Sequence, residues 1–164
     1  MVKRTVYNIF EDKEMLFRGT VLSAIQVAED FSAELAVETN RMQDASRDIP
    51  RVARRLASAV LHGPVLSLRR LLVSEARRFP DLAEEYRRRA PEAVMHALSI
   101  ALRNLADDGQ LRVADSGIAA EHFAFLIMGA DLDRGMFEPV SISKTRLRQR
   151  ADAGAEAFLR AYRL

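Results

Sequence analysis

The side chains in this sequence best suited to bind a metal ion or a polar group of a ligand are the imidazoles of His62, His96 and His122. They would lie near one another only if the middle of the chain folds as one bundle. None of them belongs to an H-x-x-x-H or E-x-x-H arrangement, so their spacing does not indicate a metal site. The chain has no cysteine, which excludes thiolate zinc sites, disulfide bonds and thiol catalysis. We therefore expect solvent-facing or hydrogen-bonded histidines, with no metal and no cofactor.

Other signatures of catalysis are missing from the sequence. It contains no glycine-rich phosphate loop, no G-x-S-x-G elbow and no H-E-x-x-H motif. Carboxylates are numerous, but they are scattered over polar faces, and no nucleophile is paired with a base. We expect a protein that is not an enzyme.

Composition places the chain among ordinary globular proteins. Of its 164 residues, 49% are hydrophobic and 29% are charged, so it can bury a sizeable core without disulfides or metals. The net charge of +2 does not by itself indicate a nucleic-acid partner. No secretory signal or membrane-spanning stretch is recognisable, so we expect a cytoplasmic protein without a membrane partner.

Apolar residues recur at helical spacing along nearly the whole chain, and no segment shows a convincing strand. The clearest stripe is Phe17, Val21, Ala24, Ala28, Phe31 and Leu35. Helices are predicted over residues 12–40, 48–61, 65–79, 91–108, 117–130 and 145–162, with connections at 41–46, 63–64, 110–113 and 131–143. Pro80 interrupts the pattern, and Glu-to-Arg pairs in the charged stretch 81–89 can support an exposed helix. The pattern therefore predicts an all-α fold.

The last two predicted helices have apolar faces that need cover. A second copy of the chain can supply that cover symmetrically, whereas packing inside one chain is the alternative. Small residues in the final helix would let another helix approach closely. The residues expected at a dimer interface are Ile118, Phe125, Leu147, Ala151, Gly154, Ala155, Phe158, Leu159 and Tyr162.

The opening stretch, MVKRTVYNIFEDKEMLF, combines basic, hydroxyl and aromatic side chains at fixed spacing. It resembles the recognition helix and exit turn of the helix-turn-helix in TetR-type transcription regulators. The matching positions are Lys3, Thr5, Val6, Tyr7, Phe10, Lys13, Glu14 and Leu16. Val2 departs from the pattern, because the family usually has serine there.

Two later stretches, LRRLLVSEARRFPDLAEEYRRRAPEAV and LADDGQLRVADSGIAAEHFAFLIMG, resemble the AefR-like C-terminal domains of the same family. On this resemblance, residues 1–17 are the remnant of a DNA-binding domain. Residues 18–164 form a helical effector-binding and dimerisation domain. The family's first two helices would precede Met1, so we expect Met1 to be an internal methionine taken as a start.

The resemblance implies a homodimer that binds operator DNA in its full-length form and responds to a small apolar or amphipathic effector. Repression is the family's usual outcome. The side chains implied to face DNA are Lys3, Arg4, Thr5, Tyr7, Asn8 and Lys13. The inward-facing residues proposed to bind the effector are Leu68, Leu72, Met95, His96, Leu98, Ile100, His122, Phe123 and Ile127.

Two other functions fit the same sequence. One is a stand-alone ligand-binding or dimerisation module without DNA binding. The other is a helical enzyme or scaffold unrelated to DNA. An extended chain that shows no salt-sensitive binding to DNA would favour the second.

Overall fold

The computed structural model describes the backbone of residues 2–138 and 142–164 and the side chains of residues 12–138 and 142–164. Its helices are α1 (Val2–Thr39), α2 (Ala45–Leu61), α3 (Val65–Glu75), α4 (Pro80–Arg87), a π-helical turn (Arg88–Glu92), α5 (Ala93–Asp107), α6 (Ser116–Phe137) and α7 (Lys144–Tyr162). Within this part of the chain no strand forms, and an isolated bridge joins Leu111 to Arg163. The predicted all-α fold is confirmed.

Helix α1 is longer than the sequence predicts. We expected a turn followed by a helix from Asp12, whereas α1 begins at Val2 and continues through that position. The first glycine of the chain is Gly19 and the first proline is Pro50, so no residue near Asp12 breaks a helix. The predicted start at Asp12 is therefore wrong.

The turn into α2 is fixed by two carboxylates. Asp44 caps the helix, because its side chain accepts hydrogen bonds from the backbone N–H groups of Ser46 (2.9 Å) and Arg47 (3.2 Å). This cap starts α2 at Ala45, three residues before the predicted start at Asp48. Asp48 itself is buried and accepts backbone hydrogen bonds from Gln43 (2.9 Å) and Asp44 (3.1 Å).

The environment of Asp48 predicts how the free energy of unfolding depends on pH. The Arg47 guanidinium and the backbone amides hold the pKa of this carboxyl well below its ordinary value, although burial opposes them. Because the folded pKa lies below the unfolded one, the stabilisation is complete above about pH 4 and is lost as the pH falls below that value. Asp48→Asn is expected to lower the free energy of unfolding at pH 7 by about 1–3 kcal/mol and to flatten its decline in acid.

Urea denaturation at pH 7 and pH 3 measures this effect. The matched control is Asp107→Asn, which changes an exposed carboxylate near the end of α5 and should leave stability unchanged or slightly raised. An Asp48→Asn protein with the wild-type pH profile would contradict the assignment.

Pro91 lies inside a continuous helical path, not at the start of a helix as predicted. Helix α4, the π-helical turn and α5 follow one another from Pro80 to Asp107 without a break. A proline removes one backbone donor and crowds the preceding turn, and the wider π turn accommodates it. The stop at Gly109 is as predicted, with a positive φ of 72°.

Helix α6 begins at a predicted cap but ends later than expected. Asp115 accepts hydrogen bonds from the N–H groups of Gly117 (2.8 Å) and Ile118 (3.0 Å). The helix then continues to Phe137, so the predicted loop at 131–143 is wrong over its first seven residues. Gly135 is helical and lets α3 pack closely on α6, since an added Cβ would lie 2.5 Å from a methyl group of Leu66.

Two hydrophobic clusters form the interior. The larger joins α2, α5, α6, α7 and Leu35 of α1, with Phe123 and Phe158 edge to face at a centroid distance of 5.2 Å. The smaller joins α1, α3 and α4, and includes Ile25, Leu72 and Leu82. Among the described helices none is singly long and apolar enough to cross a bilayer, although α2 and α3 together, bent by 52°, reach that length and composition.

Candidate ligand-binding site

A pocket of about 160 Å³ lies where the two hydrophobic clusters meet. Ala28, Tyr86 and Ala90 reach it from the smaller cluster. Val94 and Met128 reach it from the larger one. An apolar cavity of about 150 Å³ is large enough to bind benzene, so this pocket has room for a ring-sized molecule.

Most of the pocket wall is apolar, and part of it is formed by methionine side chains that can adapt to a ligand. Phe31 of α1 and Met95 of α5 contribute to one part of it, and Phe125, Met128 and Leu132 of α6 to another. Methionine side chains adapt to irregular ligands and make favourable contacts with aromatic rings. The wall is therefore suited to a compact hydrophobic or aromatic body.

Three polar side chains line the same pocket. Ser32 is already engaged, because its Oγ donates to the carbonyl of Ala28 (2.8 Å) and lies 3.4 Å from that of Ala90. Arg69 and Tyr86 lie side by side. Burial raises the pKa of the Tyr86 hydroxyl and the Arg69 guanidinium opposes that shift. The hydroxyl therefore stays protonated at neutral pH and can donate a hydrogen bond.

The π-helical turn contributes Ala90 and Pro91 to the pocket wall. Such turns are rare and occur often at functional sites, because they widen a helix and change the direction of its side chains. Here the turn separates Tyr86, on α4, from Met95, on α5, and both side chains line the pocket. The helix irregularity and the cavity thus coincide.

A family model agrees with this architecture. Residues 48–164 match the model of the AefR-like transcriptional repressor, C-terminal domain. The chain belongs to the TetR family of transcriptional regulators. That match runs from Asp48 in α2 to the end of the chain and therefore includes every pocket wall except the one formed by α1.

Solved structures of TetR-type regulators are similar to the whole chain. A protein described as a TetR-family transcriptional regulator from Mesorhizobium loti MAFF303099 is 29% identical, with a TM-score of 0.83, and the match covers 99% of this chain and 81% of that one. The flavonoid-responsive regulator FrrA is 22% identical with a TM-score of 0.67 and the same coverage, a likeness of fold alone. No curated protein matches the sequence closely enough to count as a relative.

The structure places the predicted effector residues of this TetR-family protein in several different environments. Met95 alone among them lines the pocket. Leu68 and Leu72 are buried in the smaller cluster, and Leu98, Phe123 and Ile127 are buried in the larger one. His96, Ile100 and His122 are exposed.

Sequence reasoning missed most of the residues that form the pocket. Ala28 and Phe31 belong to the apolar stripe predicted on the first helix, but such a stripe is typical of any core helix. Arg69 and Tyr86 carry no motif and belong to no apolar stripe in the sequence. No signal in the sequence shows that their side chains meet beside a cavity.

The predicted dimer residues fall into two groups. Leu147, Ala151, Gly154, Ala155 and Phe158 are buried, and α7 packs against α2 and α6 of the same chain. Helices α2 and α6 of the same chain cover these side chains, and a contact of α7 with a second copy stays a prediction.

The other predicted dimer residues lie on a more accessible face. Ile118 and Phe125 are exposed, while Leu159 and Tyr162 are half-buried. His122 lies between Ile118 and Phe125 on α6, and its Nδ1 is 2.6 Å from the Tyr162 hydroxyl on α7. This face remains available for a second copy.

Of the six predicted DNA-facing residues, Lys13 is exposed on α1. The side chains of Lys3, Arg4, Thr5, Tyr7 and Asn8 lie outside the described residues.

The histidines show no common site. His62 ends α2, His96 lies on α5 and His122 lies on α6, and all three are exposed. Within residues 12–138 and 142–164, no group of three or more His, Asp or Glu residues is placed to hold a metal ion.

Proposed function

We propose that this TetR-family chain is the effector-binding and dimer-forming part of a transcriptional repressor whose affinity for DNA falls when a small molecule occupies the pocket. The observation that carries the proposal is the position of the cavity. It lies at the junction of two clusters that both contain part of α1, the helix whose first turns resemble a DNA-recognition helix.

Helix α4 supplies a physical connection from the pocket to α1. At one end of α4, Tyr86 lines the pocket. At the other end, Phe79 stacks on Phe17 at a centroid distance of 4.8 Å, and Asp81 accepts a hydrogen bond from Arg18 at 2.5 Å. A ligand that displaces Tyr86 would therefore move a short helix that holds α1 close to the predicted DNA-binding residues.

A second contact ties the π-helical turn to the middle of α1. Arg89 Nε lies 3.0 Å from a carboxylate oxygen of Glu29. Both ties join α1 to the segment that lines the pocket, so occupancy of the pocket can favour one tilt of α1 over another. Ligand control then requires only that the two tilts bind the effector with different affinity.

Dimerisation completes the mechanism, because a regulator of this type must match two half-sites on DNA at fixed separation. In the first half of α6, Ile118 (50% exposed), Phe125 (64%) and Leu126 (47%) are large, exposed apolar residues at the helical spacing i, i+7 and i+8. An isologous contact across a two-fold axis would cover them. A change in the tilt of α1 in each copy would then alter the distance between the two DNA-recognition helices of the dimer.

Deleting the gene tests the proposal directly. Transcripts of the adjacent genes should rise on deletion and return to their former level on complementation. A gel shift with the neighbouring intergenic DNA should show salt-sensitive binding by a product extended upstream of Met1. Unchanged transcripts, together with no binding by the extended product, would leave a ligand-binding or dimerisation module as the better account.

A further inference from the structure

Arg69 is an unusual side chain for the wall of an apolar pocket. It pairs with no carboxylate among the described side chains. The pocket wall contains no Asp or Glu, so Arg69 gives it a charge of +1. The polar group placed beside this guanidinium is the neutral Tyr86 hydroxyl.

Nearby arginines have different surroundings. The next residue, Arg70, donates to the backbone carbonyls of Gly135 (3.1 Å) and Glu138 (3.4 Å). On the neighbouring segment, Arg87 and Arg89 form ion pairs with glutamates. Arg69 is half-buried beside the cavity without such a partner. A half-buried cation without a counter-charge is unfavourable unless something else compensates it.

We propose, on the basis of the proposed effector site, that the effector is a single-ring aromatic carboxylate whose carboxylate group binds Arg69 and Tyr86. The planar guanidinium can donate two parallel hydrogen bonds to a carboxylate, and the Tyr86 hydroxyl can donate a third. The ring then lies against Phe31, Met95 and Met128. Pocket volume limits the ligand to about one ring with small substituents.

Charge and shape both distinguish an aromatic carboxylate from neutral rings and from small inorganic anions as a ligand for this pocket. A neutral ring would fill the apolar part and leave Arg69 without a counter-charge. A small inorganic anion would pair with Arg69 and leave the apolar walls empty. The carboxylate on an aromatic ring satisfies both parts of the pocket at once.

Titration calorimetry of the full chain with benzoate, phenylacetate and 4-methylbenzoate, each compared with its neutral primary amide, tests the inference. The acids should bind at least about tenfold more tightly than their amides, as expected for charge-assisted hydrogen bonds. In Arg69→Leu, affinity for the acids should fall about ten- to a hundredfold, while affinity for the amides should change less than about threefold. Arg69→Lys, which keeps the charge but not the paired donors, should lie between the two.

The matched control is Arg70→Leu, which removes the adjacent guanidinium outside the pocket wall and should leave the acid-to-amide ratio unchanged. Equal binding of acid and amide to the wild type would overturn the inference while leaving the proposed effector site intact. An equal loss of both ligands in Arg69→Leu would also overturn it, since Arg69 would then act only through the fold. If no ring-sized molecule binds, charged or neutral, the proposed effector site itself is wrong.

Discussion

Gly154→Ala is expected to destabilise the protein by about 2 kcal/mol, because α7 and α6 meet at this residue with no room for a methyl group. An added Cβ would lie 2.5 Å from the backbone oxygen of Leu126 and 2.7 Å from the Cα of Ile127. Backbone atoms cannot rotate away as a side chain can. The two helices would therefore have to separate, and the packing between α6 and α7 would loosen.

Thermal denaturation followed by circular dichroism measures the effect, which corresponds to a fall in Tm of roughly 4–8 °C. The control is Gly19→Ala on α1, where nothing lies within 4 Å of the added Cβ. Alanine favours the helix at both positions by up to about 1 kcal/mol, so Gly19→Ala should raise stability and the difference between the variants isolates the steric clash. A Gly154→Ala protein as stable as the wild type would show that α6 and α7 do not pack this closely.

Ile118→Glu is expected to weaken dimer formation at least about a hundredfold without weakening the fold of the monomer. Ile118 is 50% exposed on α6, in the stripe that contains Phe125 and Leu126. In an isologous dimer the substitution buries one carboxylate from each copy near the same axis, which is unfavourable by several kcal/mol. Within one chain, position 118 lies three residues after the helix cap Asp115, where a glutamate is favourable.

Sedimentation velocity at micromolar concentration separates the two effects. The wild type should sediment as a dimer and Ile118→Glu as a folded monomer with an unchanged helical signal. Val73→Glu is the matched control, because Val73 is 62% exposed on α3, outside the proposed interface, and its substitution should leave the dimer intact. A monomeric wild type, or an Ile118→Glu protein that remains dimeric, would contradict the proposed contact face.

Helix positions could be predicted well from the sequence where a local signal exists. Asp115 and Gly109 carry the cap and stop chemistry that bound α6 and α5, and the structure agrees with both. The errors arose where tertiary packing decides. Gly135 is typical of a loop, yet it is helical and lets α3 pack closely on α6. Pro91 is typical of a helix start, yet a π turn accommodates it inside a continuous helical path.

The pocket was harder to predict than the fold, because helical periodicity marks a buried face without showing whether that face meets another helix or a cavity. Phe123 and Ile127 are packed core residues, whereas Met128, the next residue after Ile127, lines the pocket. The same limit applies to Gly154. Its small size does indicate a close helix contact, but only the structure shows that the approaching helix is α6 of the same chain.

The response of Met95→Trp to an inducer tests the central claim most directly. The promoter beside the gene is fused to a reporter, and the inducer is the ligand found to relieve repression by the wild type. Because Met95 lines the pocket, an indole ring at this position should fill part of it and exclude the ligand. The account expects Met95→Trp to repress normally and to need at least about tenfold more inducer for half-relief. Half-relief at the wild-type concentration would show that the effector acts somewhere other than this pocket.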